Sequence, residues 1–209
     1  MQQFSIDHLV RVKITSASFR AELHGPDPVP AVDLRVTMTA SNTVLDALGN
    51  GKLRTMLYEA ITKGNEPPQG ELDGVDAVTD TPVLRFEDLE AIKLKTKLTG
   101  YTLGIEHGID EDSWIRLAGC EVNTFAADCK QGGTVDLSFR IQASRITEEQ
   151  AGALAMMIGA EKPIVLRAPV QTAPIDGSVG AELRPVESSP IRKMGRPVGS
   201  KNKPKAGRR

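Results

Sequence analysis

Val135, Leu137, Phe139, Ile141 and Ala143 alternate without a break with Asp136, Ser138, Arg140 and Gln142. A period of two sends successive side chains to opposite faces of an extended chain, so this stretch predicts a half-buried strand and excludes an amphipathic helix. The same period recurs in Val32, Leu34, Val36, Met38 and Ala40. Upstream, Val10, Val12 and Ile14 hold one register and Phe19, Ala21 and Leu23 hold the other, which predicts a bulge or bend near residues 16–18. The Pro- and Gly-bearing residues 24–30 read as the connection between two antiparallel strands.

Residues 89–144 continue the pattern. Ile92, Leu94 and Leu98 share a face, Tyr101, Leu103 and Ile105 follow after a register change at Gly100, and Ile115 and Leu117 begin another strand. Gln131-Gly132-Gly133-Thr134 predicts a turn that folds residues 135–143 back on the strand carrying Cys120, Val122 and Phe125. Two short helices interrupt. Over residues 52–63, Leu53, Met56, Leu57, Ala60 and Ile61 fall at helical spacing. After Thr147, Gln150 stands in capping-box position and Ala151, Leu154, Met157 and Ile158 line one side before Gly159. Ile164, Val165 and Leu166 form a last short strand. The expected fold is mainly β (α+β): an antiparallel β-sandwich or meander with two short helices and a flexible basic C-terminal tail. Aromatic content of 4 % predicts a core built mainly from aliphatic side chains.

Domain organisation follows from shifts in composition. Residues 1–168 form the β-rich domain, with residues 64–82, rich in Gly, Pro and acids, as a mobile surface loop. Residues 169–190 lose all periodicity and read as a linker able to span roughly 25 Å as a flexible chain. Residues 191–209 form a basic tail. No run of apolar residues is long enough to cross a membrane as a helix, so the expected location is the cytoplasm of a bacterial host, on DNA. Two cysteines, Cys120 and Cys129, offer no disulfide framework and are expected to be buried or half-buried thiols.

Charge is segregated. Eight of the chain's 26 Lys and Arg residues lie in residues 191–209, which contain no acid, leaving 18 against 27 Asp and Glu, a formal charge of −9 on the rest. A cationic appendage on an acidic body points to a polyanionic partner. Within it, Gly195, Arg196 and Pro197 sit between Arg192 and Lys193 on one side and Lys201, Lys203 and Lys205 on the other, with Arg208 and Arg209 at the end. This arrangement resembles an AT-hook, in which a Gly-Arg-Pro core lies extended along the minor groove of A·T-rich DNA. Glycine allows close approach, proline disfavours a helix, and arginine suits the negative potential of a narrow groove. Met194 stands where that family usually has arginine. The resemblance implies double-stranded DNA as partner, with A·T-rich sequence preferred.

The body also resembles a family. The stretches ITSASFRAELHGPDPVPAVDLRVTMTASN and GYTLGIEHGIDEDSWIRLAGCEVNTFAADCKQGGTVDLSFRIQAS look like a group of uncharacterised phage and prophage early-region proteins, over most of residues 10–168. That likeness implies a setting in phage DNA replication or recombination and carries no catalytic residues.

Signatures of nucleotide-hydrolysing, dinucleotide-binding, zinc-protease and serine-hydrolase chemistry are absent from the sequence, so no enzyme activity, cofactor or metal site is expected. The acid-rich run around Glu106, His107, Asp110 and Asp112 reads as a solvated turn rather than a cation site. Lys93, Lys95 and Lys97 alternate with Ile92, Leu94 and Leu98, which places three cations on one strand face; Arg11 and Lys13 repeat this on the first strand. These residues predict either a second DNA-contacting face, if the two strands are neighbours, or an edge strand guarded by lysines. The expected function is that of a non-enzymatic DNA-binding accessory, homo-oligomeric and working with a phage or host recombination or replication protein. The alternative is an acidic module that binds or inhibits a host DNA-processing protein.

Overall fold

The alternating segments pair into a ring rather than an open sheet. The computed structural model describes residues 3–23, 28–62, 79–108, 110 and 113–169, all within one compact unit, Met1–Val170. Its strands are β1 (Ile6–Leu23), β2 (Pro28–Ser41), β3 (Tyr58–Glu59), β4 (Val83–Leu84), β5 (Ile92–Leu94), β6 (Leu98–Ile105), β7 (Ile115–Lys130), β8 (Thr134–Ser144) and β9 (Glu161–Arg167), with helices α1 (Leu53–Leu57) and α2 (Glu148–Met156). β1 pairs with β2, β2 with β8, β8 with β7, β7 with β6, β6 with β9, and β9 returns to β1. Every pairing is antiparallel, so the six strands close a barrel. β5 extends the line of β6 along the same side of β7. Mainly β architecture with antiparallel pairing and few helices matches the sequence reading; the 3-10 helices Asn42–Ala47 and Gly49–Gly51 were not foreseen. Closure goes beyond the sandwich or meander, because β9, from the far end of the chain, joins β1 to β6.

Burial follows the predicted alternation. Val135, Leu137, Phe139, Ile141 and Ala143 of β8 and Val32, Leu34, Val36 and Met38 of β2 point inward and are buried. Removing the Leu137 side chain to its Cβ should cost about 2–5 kcal/mol, the usual penalty for a cavity of that size in a packed core. Phe4 enters the interior just before β1 and meets Phe125 and Phe139 edge-on at centroid distances of 5.4 and 5.6 Å. Its carbonyl accepts a 2.7 Å hydrogen bond from the buried Tyr101 hydroxyl. Cys120 is buried, which pushes its thiol up to about 11, and Cys129 is half-buried.

The predicted irregularities have structural causes. The register of β1 on β2 shifts between Ile14 and Ser16, where the Thr15 hydroxyl donates to the Arg35 carbonyl. Pairing of β6 with β7 shifts between Leu98 and Tyr101, around Gly100. A further bulge, unmarked in the sequence, interrupts β7–β8 pairing between Asn123 and Ala126, where Thr124 has φ of 55°. A β-branched residue rarely takes that conformation. Here Asn123 fixes the bend: its amide donates to Glu121 and Gln142, each at 2.6 Å, and its carbonyl oxygen accepts from Arg140 and from Thr124.

Two sequence expectations are corrected. The helix of residues 52–63 is only Leu53–Leu57, followed at once by β3. Tertiary contact overrides helical spacing here, since the buried Tyr58 hydroxyl lies 3.0 Å from both the Lys130 and Thr134 carbonyls and its proton clamps the β7–β8 turn. Met56 and Ile61, expected on the buried face, are exposed. The surface loop of residues 64–82 ends in anchored chain: Thr79 is buried, the Asn42 amide donates to the Thr81 carbonyl, and Gly132 N–H donates to the Pro82 carbonyl. Gly133, at φ 79°, could carry no side chain, because a Cβ would fall 2.2 Å from Thr79 Cγ2. Residues 63–78 lie outside the described residues. In α2, Thr147 and Gln150 form the predicted capping box, and Leu154 and Met157 are buried, but Ile158 is exposed.

Candidate nucleic-acid interface

The residues expected to hold DNA do not form one surface. Arg192, Lys193, Gly195, Arg196, Pro197, Lys201, Lys203, Lys205, Arg208 and Arg209 lie outside the described residues, as does the linker of residues 169–190 from residue 170 onward. Lys93, Lys95 and Lys97 are exposed along β5 and just after it, at the end of the strand order. Lys97 is committed to an ion pair with Glu121 at 2.8 Å, which holds that carboxyl below its ordinary range. The neighbour relation required for a joint basic face is not met: among the described residues β5 pairs with β7, whereas β1 pairs with β2 and β9. Arg11 and Lys13 instead sit beside Asp136 and Glu161, with Glu161 directly opposite Lys13 across the β1–β9 pair.

A different surface gathers aromatic and cationic groups. Directly opposed residues on adjacent antiparallel strands share a face. Thr102 of β6 opposes Arg167 of β9, and Gly104 of β6 opposes Val165 of β9 on one side and Arg116 of β7 on the other. Trp114, one residue before β7, adds its half-buried indole to this outward face. The start of β1 supplies Asp7, His8 and Leu9 as the opposite rim, giving a groove of about 460 Å³.

Gly104 makes the groove possible. A Cβ there would lie 3.6 Å from Trp114 Cε3 and 3.9 Å from Cζ3, so the indole rests on bare backbone. Arg116 is placed by β7 and by α2, whose Gln150 side chain donates to its carbonyl at 3.3 Å. Arg167 is exposed at the end of β9. An indole near an exposed guanidinium such as that of Arg167 can stack a planar base or sugar while the guanidinium pairs with phosphate oxygens. The acidic rim is short: Asp7 accepts from the Ser5 hydroxyl at 2.8 Å.

Sequence reasoning missed this group. The single Trp of the chain, two residues before an arginine, was its only local signal. Arg167 joins it solely because β9 pairs with β6. Among the described residues no three His, Cys, Asp or Glu side chains converge on a metal-sized space, and no helix is long and apolar enough to cross a membrane. No family model, curated protein or solved structure matches this chain.

Proposed function

We propose that this protein is a non-enzymatic DNA-binding accessory, phage-encoded and acting in DNA replication or recombination, whose closing residues contact the minor groove of duplex DNA. The observation that carries the reading is the segregation of charge: eight cations and no acid in residues 191–209, on a chain otherwise at −9. The barrel groove of Trp114 and Arg167 supplies a second contact, where a nucleotide can stack on the indole and its phosphate pair with Arg167. Phosphate contacts dominate such binding, so one tail alone should hold DNA at only ~10⁻⁴–10⁻⁶ M, and useful affinity comes from two contacts on one DNA or from several chains.

Part of the acidity that the alternative requires is neutralised within the fold. Asp33 pairs with Arg20 and Arg140, Glu121 with Lys97, Asp136 with Lys130, and Asp46 with Arg54. Paired carboxylates make a poor mimic of a polyanion, which favours the DNA-binding reading.

Comparing the full chain with a form ending at Ala168 tests the proposal by titration of a labelled A·T-rich duplex across a salt series. The truncated form should lose most of its affinity and most of the slope of log K against log salt. Full retention of both would reject the tail as the anchor.

A further inference from the structure

Several strand edges of the barrel run without a partner among the described residues, and at least two of them are guarded. β5 carries Lys93, with Lys95 and Lys97 just beyond it. β2 runs past the end of β8, where its pairing stops at Ala31 opposite Ser144. That overhang contains Pro28 and Pro30, and the Pro30 carbonyl faces the β8 side, since it accepts from Ile146 N–H at 3.2 Å. Within a strand the N–H and C=O of one residue point the same way, so both proline nitrogens lie on the edge a new strand would approach and neither offers a donor.

The outer edge of β1 beyond Ile14 lacks both lysines and prolines. β9 and the chain before it cover β1 only as far as Ile14, which exchanges hydrogen bonds with Gly159 and Ala160. From Ser16 to Leu23 the outer edge of β1 is open among the described residues. Because Pro30 directs its polar groups towards β8, its opposite residue Ala21 must direct its own away from β2. Phe19 and Leu23 share this orientation, so three residues present both a backbone donor and an acceptor outward. The side chains of Phe19 and Leu23 are 43 % and 79 % exposed. Natural sheets rarely leave such an edge bare.

We infer that the Phe19–Leu23 edge of β1 is the interface between two copies of this chain, paired antiparallel about a two-fold axis at Ala21. A two-fold interface requires a self-complementary strand, and this register provides one. Ala21 meets Ala21 of the second copy, Phe19 meets Leu23, and Arg20 meets Glu22, so apolar faces apolar and cation faces anion in both directions. Arg20 and Glu22 already pair within one chain, and the second copy adds another acid to each arginine and another base to each glutamate. Phe19, Ala21 and Leu23 each exchange backbone bonds with the second copy, the usual means by which an added strand gains affinity. The dimer would carry two basic tails.

Light scattering across a concentration series tests this on the full chain without DNA, so its outcome is independent of the proposed function. The wild type should reach twice the 22.5 kDa mass of one chain. Ala21→Pro, which removes only an outward donor, should remain at the single-chain mass with an unchanged circular dichroism spectrum. Should that variant not fold, Ala21→Cys decides: opposed Cα atoms in a hydrogen-bonded antiparallel pair lie about 5.5 Å apart, within disulfide reach. Ala21→Cys should then give a covalent dimer on oxidation, while Ser18→Cys, several residues out of register with its own copy, should not. A wild type that stays monomeric throughout, a dimer unaffected by Ala21→Pro, or equal crosslinking of both cysteine variants would overturn the inference.

Discussion

The indole of Trp114 lies on the backbone of Gly104, with the place of an added Cβ only 3.6 Å from its Cε3 atom. That distance is ordinary van der Waals contact, so one methyl group fits and a branched side chain does not. Gly104→Ala should keep the tryptophan emission of the wild type. Gly104→Val should lift the ring into water, shift its emission to longer wavelength, destabilise the fold by about 1–3 kcal/mol through overpacking, and weaken DNA binding. Trp114 is the only tryptophan, so steady-state fluorescence reads its position without ambiguity.

The tail makes a sharper distinction. Arg196→Ala should erase any preference for A·T-rich over G·C-rich duplex, because it removes the cation expected in the narrow groove. Lys201→Ala or Lys203→Ala should instead weaken both duplexes equally and flatten the salt dependence by up to ~1 unit each. Parallel titrations on two duplexes of opposite composition separate these outcomes; equal losses from Arg196→Ala on both would leave only a general basic tail.

The Tyr58 hydroxyl ties α1 and β3 to the β7–β8 turn through the Lys130 and Thr134 carbonyls. Burial, the leading cause, raises its pKa and keeps it protonated as the donor. Tyr58→Phe leaves those carbonyls without this donor and should lower the unfolding free energy by about 1–3 kcal/mol, measured by urea titration. Since the ring still fills its buried site, the urea dependence of unfolding should keep its slope.

Acid should loosen the outer face of the barrel. Asp136 is held below its ordinary 3.8, first by Lys130 and then by the Thr39 hydroxyl, and Glu121 below 4.5, first by Lys97. A depressed folded-state pKa contributes stability that is present above the unfolded value and lost as pH falls through the folded one. Unfolding free energy should therefore decline modestly as pH drops from about 5 into the strongly acid range, because solvent screens both pairs. Asp136→Asn should lower stability at pH 7 and reduce its dependence on acid, as thermal melts at several pH values would record.

Much of the barrel was legible before folding. Period-two alternation marked β2 and β8, the Gly132-Gly133 pair marked the turn before β8, the change of register marked the β1 bulge, and Thr147 with Gln150 marked the start of α2. These features depend on residues within a few positions of one another, where backbone geometry alone relates side-chain direction to spacing. The same local rule failed over residues 52–63, since no spacing records that Tyr58 will be claimed by a turn more than seventy residues away.

The sequence by itself determined the character of the strands, the placement of the turns and the polarity of the charge, because each follows from residue type and short-range order. Tertiary structure alone decided that β9 would close the ring, that Arg167 and Trp114 would face one groove, and that β1 would keep an edge open among the described residues. Pairing between distant strands is chosen by the summed burial and hydrogen bonding of the whole sheet, a quantity that no single segment carries.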